Sequence, residues 1–254
     1  MPTPAAGARR ASNTQYVTES TLSRRALWKH SALFRFLAVG CGYHVARMEA
    51  PEARRPLKSR STRWAGAVAA FALRAGWTPD AISLLSIVFA ALGSAALLWC
   101  PAPWGLLGCA IGIQLRLLCN LLDGMVAVEG GRKSKVGALF NEIPDRLADS
   151  MFLVALGYAS GLEWVGWLAA LAAAVTAYIR VLGGTLGLAQ DFRGPQAKPH
   201  RMAVMTVACL LAIAEGFWDG QHRVLQVAVI FIAAGSILTC AARTRAIARQ
   251  LQAR

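Results

Sequence analysis

The sequence predicts an all-α integral membrane protein: six transmembrane helices preceded by an N-terminal cytoplasmic, juxtamembrane helical segment. Three observations predict it. Hydrophobic residues make up 56% of the 254 residues and mean hydropathy is positive, at +0.45, which places the chain among membrane proteins. Six apolar segments, near 80–100, 104–128, 136–160, 162–190, 201–217 and 223–242, each hold close to the ~20 residues that cross ~30 Å of hydrocarbon. Finally, Lys and Arg alternate between the turns that join these segments.

The net charge of +14 raises the question of nucleic acid, but no fold or motif of that class is present. The basic residues instead cluster between apolar runs, where an anionic inner leaflet attracts them. Six cysteines (Cys41, Cys100, Cys109, Cys119, Cys209, Cys240) form no C-x-x-C pair and lie mostly in apolar runs. They read as small buried hydrophobes, without a zinc site or disulfide framework. The N-terminus has no early apolar core of the signal-peptide kind.

Two regions follow from this patterning. Residues 1–62 form a basic N-terminal cytoplasmic region, and 63–254 a six-span membrane domain. Residues 1–23 are polar and expected to be disordered. Arg24 to Arg47 mixes Trp28, Phe34 and Phe36 with five Arg and Lys, the pattern of a helix lying on the inner membrane surface. Pro51 to Arg63 is a charged linker, and a short helix over 63–76 precedes Thr78-Pro79, with Asp80 placed to cap the first span. The turn after the second span carries Arg132, Lys133 and Lys135. The turn after the fourth carries Arg193, Lys198 and Arg201, and the tail carries Arg243, Arg245, Arg249 and Arg254. The other three turns hold no Lys or Arg before Arg223, and Trp99, Trp104, Trp164, Trp167 and Trp218 mark those opposite ends. Both signals place the two termini in the cytoplasm of a bacterial-type membrane.

The second and third spans carry an unusual polar stretch, Asn120 to Asp149. Asn120 and Asp123 share a helix face, and Asn141, Asp145 and Asp149 recur every four residues on the next helix. Ionisable groups inside spans are costly to desolvate and mark functional sites by default. Two antiparallel helices bearing such stripes make a cage of oxygen ligands suited to a hard divalent cation. Nineteen steps separate Trp104 from Asp123, about 28 Å at 1.5 Å per residue, which puts the cluster in the cytoplasmic third of the bilayer.

Asn120-x-x-Asp123-Gly124-x-x-Ala127, then Gly137-x-x-x-Asn141-x-x-x-Asp145, resembles the signature of the CDP-alcohol phosphotransferases, D-x-x-D-G-x-x-A-R, eight residues, G-x-x-x-D-x-x-x-D. The eight-residue spacer from Val128 to Gly137 is kept. Three positions depart: Asn120 and Asn141 replace two of the four aspartates, and Val128 replaces the arginine. A shifted register ending on Asp145 and Asp149 puts Asn141 where glycine is wanted, so the gapless one is preferred.

The resemblance implies a membrane phosphatidyltransferase: an alcohol attacks a CDP-linked donor such as CDP-diacylglycerol and CMP is released. It implies Mg²⁺ or Mn²⁺ held by Asn120, Asp123, Asn141 and Asp145, with Asp149 as a compensating carboxylate one turn on. Asp123 and Asp145 are the expected catalytic residues, Asp145 as general base. Gly124, Ala127 and Gly137 clear room for the nucleotide. Arg116, Arg180, Arg193, Lys198 and Arg201 are expected to bind phosphate or a small, possibly phosphorylated, alcohol. Membrane lipids and a second copy of the chain, as a homodimer, are the other expected partners; nucleic acid is not. The two missing aspartates keep an alternative open, a catalytically weakened CDP-lipid-binding or assembly partner. A transporter would need internal repeats, and none is evident. Pro144 is expected to kink the third span, and Gly183-x-x-x-Gly187 to serve as a small-residue packing motif.

Overall fold

The computed structural model describes residues 62–131, 137–217 and 222–254. The surface helix expected over 24–47, the linker at 51–61, the basic turn Arg132–Lys135 and Trp218 lie outside them. Seven helices are described: α1 (Arg63–Arg74), α2 (Pro79–Trp99), α3 (Trp104–Glu129), α4 (Gly137–Ser160), α5 (Glu163–Thr185), α6 (Lys198–Glu215) and α7 (Arg223–Gln252). No strand occurs among the described residues.

Four of these, α2, α3, α5 and α7, are long and apolar enough to cross a membrane. The other two long helices carry the charges of the polar stretch. Glu142, Asp145, Arg146 and Asp149 sit in α4, and Lys198, Arg201 and Glu215 in α6. Helix ends fall within a few residues of the expected spans, with two exceptions. α5 stops at Thr185 instead of running to 190, and α7 continues ten residues past the expected 242. The early stop changes the reading of Gly183 and Gly187. Gly187 lies beyond the helix at φ +74°, and the backbone N–H groups of Gly187 and Leu188 close onto the carbonyls of Gly184 and Gly183. It is a helix terminator, in the left-handed conformation that glycine adopts freely, and not half of a packing motif.

The first span also opens differently from expectation. Thr78, not Asp80, is the cap of α2: its side-chain oxygen accepts from the Ala81 N–H at 3.2 Å. Pro79 occupies the first helical position, where its missing N–H and fixed φ cost nothing.

The helices pack around one apolar core drawn from α2 to α7, with Ile113, Phe152, Leu153, Leu156, Met202 and Ile232 fully buried at its centre. α1 packs on α3 through a small-residue face, Ala65, Ala69 and Ala72, against Leu122 and Val126. Its opposite side leaves Trp64 and Phe71 exposed. α2 and α3 cross almost backbone to backbone. A Cβ on Gly112 would stand 2.8 Å from the Gly93 Cα, and one on Gly93 only 3.0 Å from the Phe152 ring. This is the close approach that small residues permit between membrane helices.

At the far end, the Glu215 carboxylate accepts from the backbone N–H groups of Arg223 and Val224 at 2.8 and 3.2 Å. An acid from the end of α6 thereby satisfies the open N-terminus of α7. At the near end, the segment between α5 and α6 folds back against α7. Arg243 donates to the Arg193 carbonyl at 2.9 Å and to the Thr176 carbonyl at 2.7 Å, while the Gln196 N–H donates to Thr239 Oγ1 at 3.1 Å. This strap delivers Lys198 and Arg201 to the acidic face of α4.

Candidate active site

The polar residues of α3 and α4 meet cations brought by α6. Arg116, midway along α3 and wholly buried, lies at the centre. Its Nη2 donates to Asp149 Oδ1 at 2.6 Å and to Asp145 Oδ1 and the Asp145 carbonyl, both at 3.3 Å. Arg201 of α6, also buried, donates from Nη2 to Asp149 Oδ2 at 3.0 Å and from Nη1 to the Gln196 carbonyl at 2.6 Å. Lys198 pairs with Asp145 Oδ2, and Arg146 approaches the same oxygen at 3.7 Å. Pro144, inside α4 and buried, leaves the Phe140 carbonyl without its helical donor beside this group.

Asp123 occupies a different environment. Ser83 of α2 donates to its Oδ2 at 2.8 Å, and it forms no ion pair among the described residues. Asp123 and Asp145 are nevertheless close enough to feel each other's charge, and Lys198 is within the same reach. Asn120, one turn before Asp123, is half-buried, and its Nδ2 has no hydrogen-bond partner. Gly124 and Ala127 are also half-buried. With Asn120 they trace a partly open stripe along α3. Asn141 is exposed and Gly137 half-exposed at the start of α4.

Three residues differ from the sequence expectation. Asp149 was to lend a carboxylate to a cation, but each of its oxygens faces a guanidinium. Arg116 and Arg201 were to bind phosphate or acceptor, but both are buried with their charge spent on Asp149. Sequence spacing shows which residues share a helix face, and the partner arriving from 52 residues away is beyond its reach.

Arg180 lies in α5 and Arg193 in the strap itself. Arg180 pairs with Glu142 of α4, donates to Gln190 Oε1 at 2.8 Å and stands over the Phe192 ring at 5.4 Å. Arg193, largely exposed, pairs with Asp191 at 2.7 Å. Of the residues that sequence reading passed over, Glu142 carried a usable signal, a charge within an apolar helix. Ser83, Gln190 and Gln196 carried none, since single polar residues near helix ends are common. Among the described residues no three His, Cys, Asp or Glu side chains converge as a metal cluster.

No protein-family model matches the chain. Curated relatives do. The chain is 30% identical over 193 residues to a phosphatidylinositol phosphate synthase of Streptomyces avermitilis, covering 72% of this chain and 77% of that protein. It is 29% identical over 195 residues to the Mycolicibacterium smegmatis enzyme of the same name, covering 71% and 82%. It is 30% identical over 177 residues to an archaetidylinositol phosphate synthase of Aeropyrum pernix, covering 69% and 84%. The fold is shared with solved structures of Mycobacterium tuberculosis phosphatidylinositol phosphate synthase. One has CDP-DAG bound (TM-score 0.61, 22% identity, 73% of this chain and 94% of that one). Another is in complex with manganese and citrate (TM-score 0.61, 22% identity, 72% and 88%).

Proposed function

Because the chain belongs to the CDP-alcohol phosphatidyltransferase family, we propose that it transfers a phosphatidyl group from CDP-diacylglycerol to a phosphorylated polyol of the inositol phosphate class, releasing CMP. The observation that carries this reading is the convergence of the carboxylates of α3 and α4 on one polar cluster, with Asp123 held by Ser83 and Asp145 paired with a partly exposed Lys198. Inositol phosphate is the acceptor that the names of the relatives suggest.

The donors present fit a divalent cation. Asp123 offers a carboxylate and Asn120 a carboxamide oxygen, and Mg²⁺ needs only one or two carboxylates when substrate phosphates complete its shell. A bound Mg²⁺ or Mn²⁺ supplies neutralisation of the diphosphate and of the departing CMP. The protein's own groups do the rest. Asp145 Oδ2 accepts the proton of the attacking hydroxyl. Lys198, whose side chain is 23% exposed, leaves that oxygen as the acceptor arrives and pairs with the incoming phosphate. Arg180, held at Nη1 by Gln190 and at Nη2 by Glu142, adds positive charge toward the same phosphate. Ser83 holds Asp123 in position, and the open stripe at Gly124 and Ala127 admits the nucleotide.

α4 and α6 complete a six-span bundle in this reading. At 1.5 Å per residue their 24 and 18 residues reach about 36 and 27 Å, and their charges face the site instead of lipid. The basic turns put both termini and the site on the cytoplasmic side, with residues 1–62 as a basic cytoplasmic region, and a homodimer is the assembly.

The test is CMP release from CDP-diacylglycerol with Mg²⁺ or Mn²⁺ over a panel of alcohols. Inositol phosphate is expected to be the best acceptor. Asp123→Ala and Asp145→Ala should each lower turnover by about 10² or more. Arg180→Met should raise the acceptor KM about tenfold. Tight CDP-lipid binding with no turnover on any acceptor would sink the transferase reading for this chain.

A further inference from the structure

We infer that the Arg116 guanidinium takes the electrostatic place of a second divalent cation, so that this site binds one metal ion and not a pair. The inference rests on the metal-dependent reading above and deepens it.

Three features point the same way. The first is geometry. A single nitrogen, Arg116 Nη2, bridges two carboxylates and a carbonyl, at 2.6 Å from Asp149 Oδ1 and 3.3 Å from Asp145 Oδ1 and Asp145 O. Neutralising neighbouring carboxylates from a single point is the electrostatic part a cation would play there.

The second is permanence. Arg116 is 0% exposed, and its Nε and Nη1 have no partners. Withdrawing it would leave a buried charge bare on both sides, the costly outcome for a buried pair. Lys198 is different. It is partly exposed and can leave Asp145 when substrate arrives.

The third is charge. Asp123, Asp145 and Asp149 carry three negative charges, matched by Arg116, Arg201 and Lys198. The diphosphate of a CDP-lipid adds two more negative charges, and one divalent cation cancels them. In the CDP-lipid complex, before a phosphorylated acceptor arrives, a second ion would leave two positive charges uncompensated in an apolar bundle, and Arg146, 3.7 Å from Asp145, would add a third. Asn120 and Asn141 supply oxygens but no charge to offset it. The remaining ion goes to Asp123 and Asn120, the end of the site that no guanidinium occupies among the described residues.

The experiment is electron paramagnetic resonance of Mn²⁺ bound to the full chain in nanodiscs with CDP-diacylglycerol. The expected result is one Mn²⁺ per chain without spin coupling to another. Two coupled ions per chain would overturn the inference while leaving the transferase reading intact. No bound Mn²⁺ on a chain that still takes up CDP-diacylglycerol would overturn both this inference and the metal reading beneath it. The double variant Asn120→Asp/Asn141→Asp separates the causes. It should still bind one ion, and a second coupled ion should appear only when Arg116→Leu is added. If the double variant alone binds two, the guanidinium is not what excludes the second ion. Should the triple variant fail to fold, the counts on the wild type and the double variant decide.

Discussion

Asp149 stands between two buried guanidiniums, each within 3.0 Å of one of its oxygens. Removing its charge strands both. Asp149→Asn is therefore expected to destabilise the protein by about 3–5 kcal/mol, the usual result of breaking a buried ion pair from one side. Thermal unfolding in detergent measures this, and an unchanged melting temperature would contradict the role given to Asp149. The same residue shows where sequence reading stops. The four-residue spacing of Asn141, Asp145 and Asp149 predicts one stripe on a helix; all three lie in α4, with Asp145 and Asp149 buried and Asn141 exposed. It could not show that Arg116 and Arg201 would converge on the last of them. A helix periodicity fixes directions around one axis and is silent on what another helix brings to meet them.

At the scale of elements, the close crossing of α2 and α3 makes a contrast that can be measured. Gly112→Ala places a Cβ 2.8 Å from a backbone carbon, so the helices must part, at a cost of about 1–3 kcal/mol. Gly66→Ala, on α1, meets nothing within 4 Å and should stabilise by up to ~1 kcal/mol through helix propensity. Melting temperatures that moved together would refute the distinction. The extents of the helices were legible because apolar run length and turn chemistry are local. The end of α5 was not, since Leu186 and Leu188 continue an apolar run that only Gly187, in its left-handed conformation, interrupts. The strap that follows was equally hidden. Its fit to α7 depends on Thr239 and Arg243, more than forty residues further on.

Across the whole molecule, the proposed orientation predicts a simple labelling pattern. Cys100 is exposed in the turn between α2 and α3, whereas Cys109, Cys119 and Cys209 are buried. A membrane-impermeant maleimide added to intact cells should label the chain, and Cys100→Ser should abolish the label. Labelling only after the membrane is opened would reverse the orientation. The buried Arg116 has one more consequence, for the order in which the chain enters a membrane. An unpaired arginine at the centre of a spanning helix costs about 2.5–3.5 kcal/mol. Its first counter-charges, Asp145 and Asp149, are synthesised in the very next helix, while Arg201 comes 52 residues after Asp149. In the proposed six-span reading, α3 is thus poorly suited to partition alone and well suited to enter with α4 as a hairpin, its charge already masked. In the same reading α6, made later, adds Arg201 to a pair already formed.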